Sequence, residues 1–299
     1  MIPCSSFCSF EFFYVLFECF THCVGIQDAA VWVTFVDRGY NEIIFADVGQ
    51  GDSSLIRTRH FENILIDGGN TGSGTYVLSS LMKTKGCKTI TAAFVSHMHD
   101  DHFVGICELL DDGVKIKTLY VGDRADKIEE FKKLEQLANQ HGTEIKTVSK
   151  GDRINIDNVL FSVLSTGAGN TVSDDENDNS VVMRCDIGEN SVLFTGDATE
   201  KCESELDDIM IKDIDILKVG HHGSKTSSSK EFIEKVKPRF ALTGVGRDNS
   251  YNLPSKEKVA EFAEMKIPVL RTDLDGTVEI RLNENDILDI ETYDFDANN

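Results

Sequence analysis

Positive charge is what this 299-residue chain has least of. No Lys or Arg precedes Arg38, and over the whole sequence 30 bases face 51 acids, for a net charge of −21. Affinity for a phosphate backbone comes mostly from neutralising cations, so a chain this acidic is poorly suited to long DNA or RNA, and small or tethered substrates are expected. The surplus acid also serves solubility. Proline is rare, with four in the chain, and no proline- or serine-rich linker marks off a second domain. Residues 31–299 are therefore expected to form one domain, near the upper size for a single hydrophobic core.

An uncharged apolar run long enough to cross a membrane is also missing. The nearest approach is the aromatic-rich segment 1–30, which Glu11 and Glu18 interrupt and which has no basic residue near Met1 to make a secretory signal. It is expected to be an unstructured extension; the alternative is a zinc site built from Cys4-x3-Cys8, Cys19-x3-Cys23 and His22. The other cysteines, Cys87, Cys107, Cys185 and Cys202, follow no pairing pattern, as expected for reduced thiols in a cytoplasmic protein.

Against these absences stands one concentration. Three of the eight histidines fall in Ser96-His97-Met98-His99-Asp100-Asp101-His102, directly after the apolar run 91–95. A strand running into such a turn can point alternate side chains at one centre and the next pair at a second, the local geometry a pair of divalent cations needs. Further oxygen and nitrogen donors appear at the ends of later apolar runs. Residues 192–195 lead into Gly196-Asp197, where the glycine lets a carboxylate turn inward as a bridging ligand. Residues 214–219 lead into Gly220-His221-His222-Gly223-Ser224, and at least one of those adjacent imidazoles should reach the metal.

Hydrophobic periodicity places strands at 31–36, 42–47, 54–57 and 63–67, then helices at 74–83, 103–110 and 126–139. The last is amphipathic, with Ile128, Phe131, Leu134 and Leu137 on one face and acids in its first turn. Strands follow near 159–164, 180–186 and 191–195, and strand alternates with helix from 214 to 271. The polar run 167–179 reads either as a solvated surface loop or as part of the pocket mouth.

The order His-x-His-x-Asp-His, then Thr-Gly-Asp, then His-His-Gly-Ser resembles the metallo-β-lactamase superfamily. Within it the chain resembles the soluble hydrolase domain of the ComEC competence proteins and their free-standing relatives. That narrower likeness rests on Asp47-Val48-Gly49-Gln50-Gly51-Asp52-Ser53, Leu65-Ile66-Asp67-Gly68-Gly69, Asn179-Ser180, Lys218-Val219-Gly220-His221-His222-Gly223-Ser224 and Arg271-Thr272-Asp273 with Gly276. It covers about residues 42–292 and implies an α+β fold, a four-layer αββα sandwich with the ligand turns converging on one edge.

Three departures stand out, two from the ComEC pattern and one, the absence of the third-motif histidine that the ComEC group shares, from the wider superfamily. His99 occupies a position where that group usually has Asp, which makes the site fuller. The superfamily's third-motif histidine is absent from Asp175-Glu176-Asn177-Asp178-Asn179-Ser180, so Asn177, Asn179 or water is the candidate replacement. The group's Asn-x-Tyr-x-His-Pro string reads Asn249-Ser250-Tyr251-Asn252-Leu253-Pro254 here, without its histidine.

The constellation suggests that His97 and His99 hold one ion, Asp101 and His102 hold the other, Asp197 bridges, and His221 or His222 completes the second site. A hydroxide between the ions is the expected nucleophile, which removes the need for a protein nucleophile. The histidine of the pair that is not a ligand would donate to a phosphoryl oxygen or protonate the leaving group. Asp47, Gln50, Asp52 and Asn179 line or brace the site, the first three alternatively forming only a tight structural hairpin. Imidazole-rich ligation favours zinc, and oxygen in place of the third-motif histidine favours manganese. The resemblance implies phosphoester or phosphodiester hydrolysis. A nuclease and a non-catalytic metal-binding scaffold are the alternatives. Arg57, Arg59, Lys218 and Lys225 are candidates to line the pocket, and without a multi-helix channel no role in DNA import is implied.

Overall fold

The computed structural model describes residues 37–169 and 171–294. The segment 1–30, its Cys and His22 spacing and the strand expected at 31–36 lie outside that range. Along the chain come β1 (Asn41–Phe45), β2 (Ser54–Arg57), β3 (Asn63–Ile66), β4 (Thr89–Phe94), β5 (Lys115–Gly122) and β6 (Glu144–Val148), which lie side by side in that order. A second sheet takes β7 (Arg153–Ile156), β8 (Val159–Thr166), β9 (Val181–Ile187), β10 (Asn190–Phe194), β11 (Ile216–Lys218), β12 (Phe240–Thr243) and β13 (Val269–Arg271), again in chain order. The chain then returns to the first sheet with β14 (Thr277–Leu282), paired to β1, and β15 (Ile287–Tyr293) outside it.

Period-two alternation makes this a four-layer αββα sandwich. Ile43, Phe45, Ile64 and Ile66 face inward and meet Phe161, Met183, Val192 and Phe194 from the other sheet. Their neighbours Ile44 and Leu65 face outward, where Phe103, Ile106, Leu110 and Leu134 cover them. Leu193 and Leu217 do the same on the far side under Phe232, Ile233 and Phe262. One face of each inner strand is thus buried against a sheet and the other against helices, which is why so many strands read as continuous apolar runs, whereas the edge strands β6, β7 and β15 are largely exposed.

The helices on the first sheet are α1 (Ser79–Lys85), α2 (Asp100–Asp111) and α3 (Phe131–Gln140). The helix expected at 126–139 is interrupted: a short turn at Ala125–Lys127 ends at Ile128, whose backbone is extended, before α3 begins. Ile128, Phe131, Leu134 and Leu137 nevertheless pack on one core, as their spacing implies. Where α2 was expected to begin at 103, it begins at Asp100, with His99 extended as its cap and Asp100 and Asp101 in the first turn, favourable to the helix dipole.

Strands β3 to β6 run parallel, as do β10 to β13. Their carboxyl ends emerge on one edge of the sandwich, and the turns found there carry Asp67, His97, Asp197 and His222. The glycine-rich turn after β1 is stitched to the same edge by Asp52 N–H donating to Asp101 O at 3.1 Å. Gly51 is required in it: its φ is +144°, and a Cβ there would fall 2.5 Å from Asp101 O. Among the described residues no helix is long and apolar enough to cross a membrane.

Candidate metal centre

His102 is the most enclosed of the ligand candidates, with no solvent exposure. Its Nδ1 lies 3.0 Å from Asp67 Oδ2 and 3.3 Å from Ser96 Oγ. That pairing turns Nε2 toward Asp197 Oδ1 at 3.3 Å and Asp101 Oδ1 at 3.9 Å. Ser96 in turn donates to Asp67 at 2.8 Å and sits 3.0 Å from His97 Nδ1, so one hydroxyl and one carboxylate orient both imidazoles. Asp67 itself adopts a left-handed backbone, φ 56°, which an aspartate tolerates better than most residues.

The histidine pair is sorted by its turn. His221 and His222 both have positive φ, 48° and 53°, a conformation that costs free energy in a non-glycine residue and is found where a site demands it. His222 is buried: its Nδ1 donates to Gly244 O at 2.7 Å, leaving Nε2 3.1 Å from Asp101 Oδ2 and 3.6 Å from Asp197 Oδ2. His221 is partly exposed on the cavity wall, with Nδ1 3.2 Å from Thr226 Oγ1 and Nε2 3.9 Å from Asp197 Oδ2.

Charge is distributed accordingly. Burial works against a charged His222, but Asp197 and Asp52 outweigh it and push its pKa up to about 10. His102 is likewise held well above the usual histidine range by Asp197 and Asp67 against the cost of burial. His97, buried beside the His102 cation, is pushed well down. Burial alone would raise Asp197, yet His102 and His222 hold it well below the usual carboxylate range. Two protons therefore occupy the places where positive charge is wanted.

The donor set fits divalent ions. His102 Nε2 and Asp197 Oδ1 are buried 3.3 Å apart as an ion pair with no aligned hydrogen bond, and a divalent cation would satisfy both. Donor atoms of His97, His102 and Asp197 lie within 4.8 Å of one another, as do those of Asp101, His102 and His222. Asp52 joins a further group with Asp197 and His222, and its carboxylate pairs at 2.5 Å with the buried Lys218 ammonium. An imidazole and carboxylate set of this kind suits divalent metal ions.

The other expected residues stand further off. His99 is exposed and contacts His97, Nδ1 to Nε2 at 3.0 Å, outside the close groups. Gln50 lines the cavity and accepts from Gly246 N at 3.3 Å. Asp47 caps its own turn by accepting from Gly49 N. Asn179 does not line the cavity and is bonded to Ser173 and Glu176.

Two residues outside the sequence-based set belong here. Asp67 directly follows β3 and precedes Gly68-Gly69, as Asp197 follows β10 after Thr195-Gly196, so both carboxylates sit at strand ends beside glycine. Glu176 comes from the third-motif stretch and reaches the cavity wall, bonding Met98 N at 3.1 Å. The loop 167–179 thus supplies the pocket mouth rather than bare surface.

The basic residues expected at the pocket are not there. Arg57 is buried against Glu42, Arg59 pairs with Asp37 and Glu284, Lys218 lies beneath the centre on Asp52, and Lys225 reaches Glu257. Each is consumed by a nearer acid, which a chain with this excess of carboxylates supplies everywhere. Among the described residues, no Lys or Arg lines the cavity over the centre, about 720 Å³.

Fold and site together define a metallohydrolase-type architecture, and the comparisons identify its family. The chain belongs to the metallo-β-lactamase superfamily, a largely hydrolytic group, whose family model matches residues 46–246. It is similar to ComE operon protein 3 of Bacillus subtilis (strain 168), 33% identical over 258 residues, covering 80% of this chain and 33% of that protein. It spans about a third of the length of the curated competence relatives it matches. Among solved structures it is similar to the metallo-β-lactamase fold protein YhfI of Bacillus subtilis, with a TM-score of 0.56 and 16% identity over 80% of this chain and 99% of that one. A diphosphatase of the PhnP family gives a TM-score of 0.51 at 14% identity, covering 84% and 100% of the two chains.

Proposed function

We propose that this protein is a metal-dependent phosphoesterase, acting on a small phosphodiester or phosphomonoester rather than on long nucleic acid. The observation that carries the reading is the buried pair His102 Nε2 and Asp197 Oδ1, without an aligned hydrogen bond, beneath an open cavity that Asp197, His221 and His222 line. A structural metal site is closed by its ligands, whereas a catalytic one keeps a face toward substrate.

His97, His102 and Asp197 would hold one ion, with His99 beside His97, and Asp101, His102 and His222 the other. Bound there, divalent ions supply positive charge to the group under attack and acidify water. Asp67, Ser96 and the Gly244 carbonyl hold the imidazoles in the required tautomers. His221, kept largely neutral because burial pushes its pKa down, stands on the wall where it can take or give a proton at the leaving oxygen. Glu176 and Gln50 shape the mouth.

The test is hydrolysis of bis(p-nitrophenyl) phosphate by metal-stripped protein reloaded with zinc or manganese, beside Asp197→Ala. Metal-dependent turnover that the variant loses is the expected result. Stoichiometric metal binding with no turnover for either ion would favour the scaffold or another scissile bond.

A further inference from the structure

Behind the histidine turn, one serine is held by opposite charges. Ser228 is fully buried, lies outside the cavity and has a left-handed backbone, φ 50°. Its N–H donates to the Glu203 carboxylate, whose other oxygen accepts from Ser229 N at 2.9 Å. Its carbonyl accepts from the Lys258 ammonium at 2.7 Å. Glu203 and Lys258 are themselves buried and come from different helices, Glu200–Glu203 and Lys256–Glu264. Hydrogen bonds to ionised groups are roughly twice as strong as neutral ones, so a backbone shape that serine ordinarily avoids is fixed from both sides.

The side chain of Ser228 passes that constraint on. Its Oγ accepts from Gly220 N at 3.0 Å, one residue before His221. At the other end of the turn Gly223 O accepts from Ser255 N at 2.9 Å, and Ser255 caps the helix that carries Lys258, accepting from Lys258 N at 3.2 Å. The left-handed pair His221–His222 is therefore tied at both ends to one helix. Consecutive left-handed residues are not held by local propensity, so the aim of the His222 ring depends on such ties. The buried pair Glu42 and Arg57 offers a contrast: its further ionic contacts are to Arg38 and Lys85, and it touches neither histidine.

We infer that Glu203 and Lys258 are positioning residues of the metal centre, acting through Ser228 to aim the His222 imidazole at Asp101 and Asp197. This rests on His222 being a metal ligand and extends the centre to two charges that line no part of the cavity.

The first measurement is nitrogen-edited NMR of the metal-free protein, reading the His222 Nδ1 proton bonded to Gly244 O. In Glu203→Gln, Lys258→Met and Ser228→Ala that resonance is expected to shift or to exchange faster with water, while in Glu42→Gln it stays. Ser228→Ala keeps both buried charges in place and deletes the bond to Gly220, so it decides the matter where a charge variant does not fold. The second measurement is cobalt affinity, followed by visible absorption. All three variants should weaken the ion at His222 by about tenfold or more, and none should weaken binding further in a His222→Ala background. If only their field reached the centre, removing an anion and removing a cation would move affinity in opposite directions; if both hold the turn, they move it the same way. An unmoved Nδ1 resonance, or opposite changes in affinity, overturns the inference. A resonance disturbed in all three variants of a protein that takes up no cobalt sustains the positioning role, and it is then the metal reading of His222 that falls.

Discussion

The Asp67 carboxylate and the His102 imidazole meet at 3.0 Å through Nδ1, and the opposite ring nitrogen faces Asp197. An imidazole fixed this way presents a lone pair in one direction only. Asp67→Asn removes the charge while keeping the size, and metal affinity is expected to fall 10–100-fold, roughly the range for such supporting partners. Competition with a chromophoric chelator measures it, and unchanged affinity would mean that Asp67 serves packing alone.

The two adjacent histidines should separate cleanly. His222→Ala is expected to lower the bound metal by one equivalent. His221→Ala is expected to keep the full complement while kcat falls by about 10²–10⁴, the usual scale for lost acid–base help. Metal analysis by atomic emission, paired with steady-state kinetics, distinguishes them, and a reversed pattern would exchange their roles.

Lys218 and Asp52 form an ion pair with side-chain exposures of 5% and 6%. Removing one partner of such a pair leaves the other charge stranded. Lys218→Met should cost roughly 3–5 kcal/mol in urea unfolding of the metal-free protein. Adding Asp52→Asn to that variant should recover a large part of the loss, because the stranded charge goes too. Additive losses in the double variant would rule out direct coupling.

The pH dependence of the metal-free protein follows from the shifted groups. His222 titrates at about 10 and His102 above its ordinary 6.5, so their contribution to stability is complete below 6.5 and disappears as pH rises through about 10. Asp197 and Asp101, lowered from 3.8, contribute above that value and lose their contribution as pH falls through the folded-state values. Thermal unfolding with chelator present should therefore show Tm falling between pH 6.5 and 10. Both protons would have to leave for His102 and His222 to ligate divalent ions, so saturating metal should flatten that decline, and affinity should rise with pH by close to two protons per site pair. A metal-free Tm that climbs toward pH 10 would contradict the assignment.

Most of the architecture was legible because period-two burial and strand-end glycines are local signals. The run into His97 and the Thr-Gly-Asp turn announce themselves in a few residues. Which imidazole of the 221–222 pair turns inward was not legible, since it depends on two left-handed residues and on Gly244, on another strand. Asp67 was readable as a motif but not as a partner of His102, 35 positions later. The basic residues were misplaced for the converse reason: nearness in sequence to a site motif says little about where a long side chain finds its counter-charge.

The donors are divided between the two sheets: Asp67, His97, Asp101 and His102 come from one, Asp197 and His222 from the other. Neither half of the chain can assemble the centre alone, and the inter-sheet core has to close before the second set arrives. A cation bound there would rivet the two halves together across their seam, so prying them apart would release it, and its retention would report that the sandwich is shut.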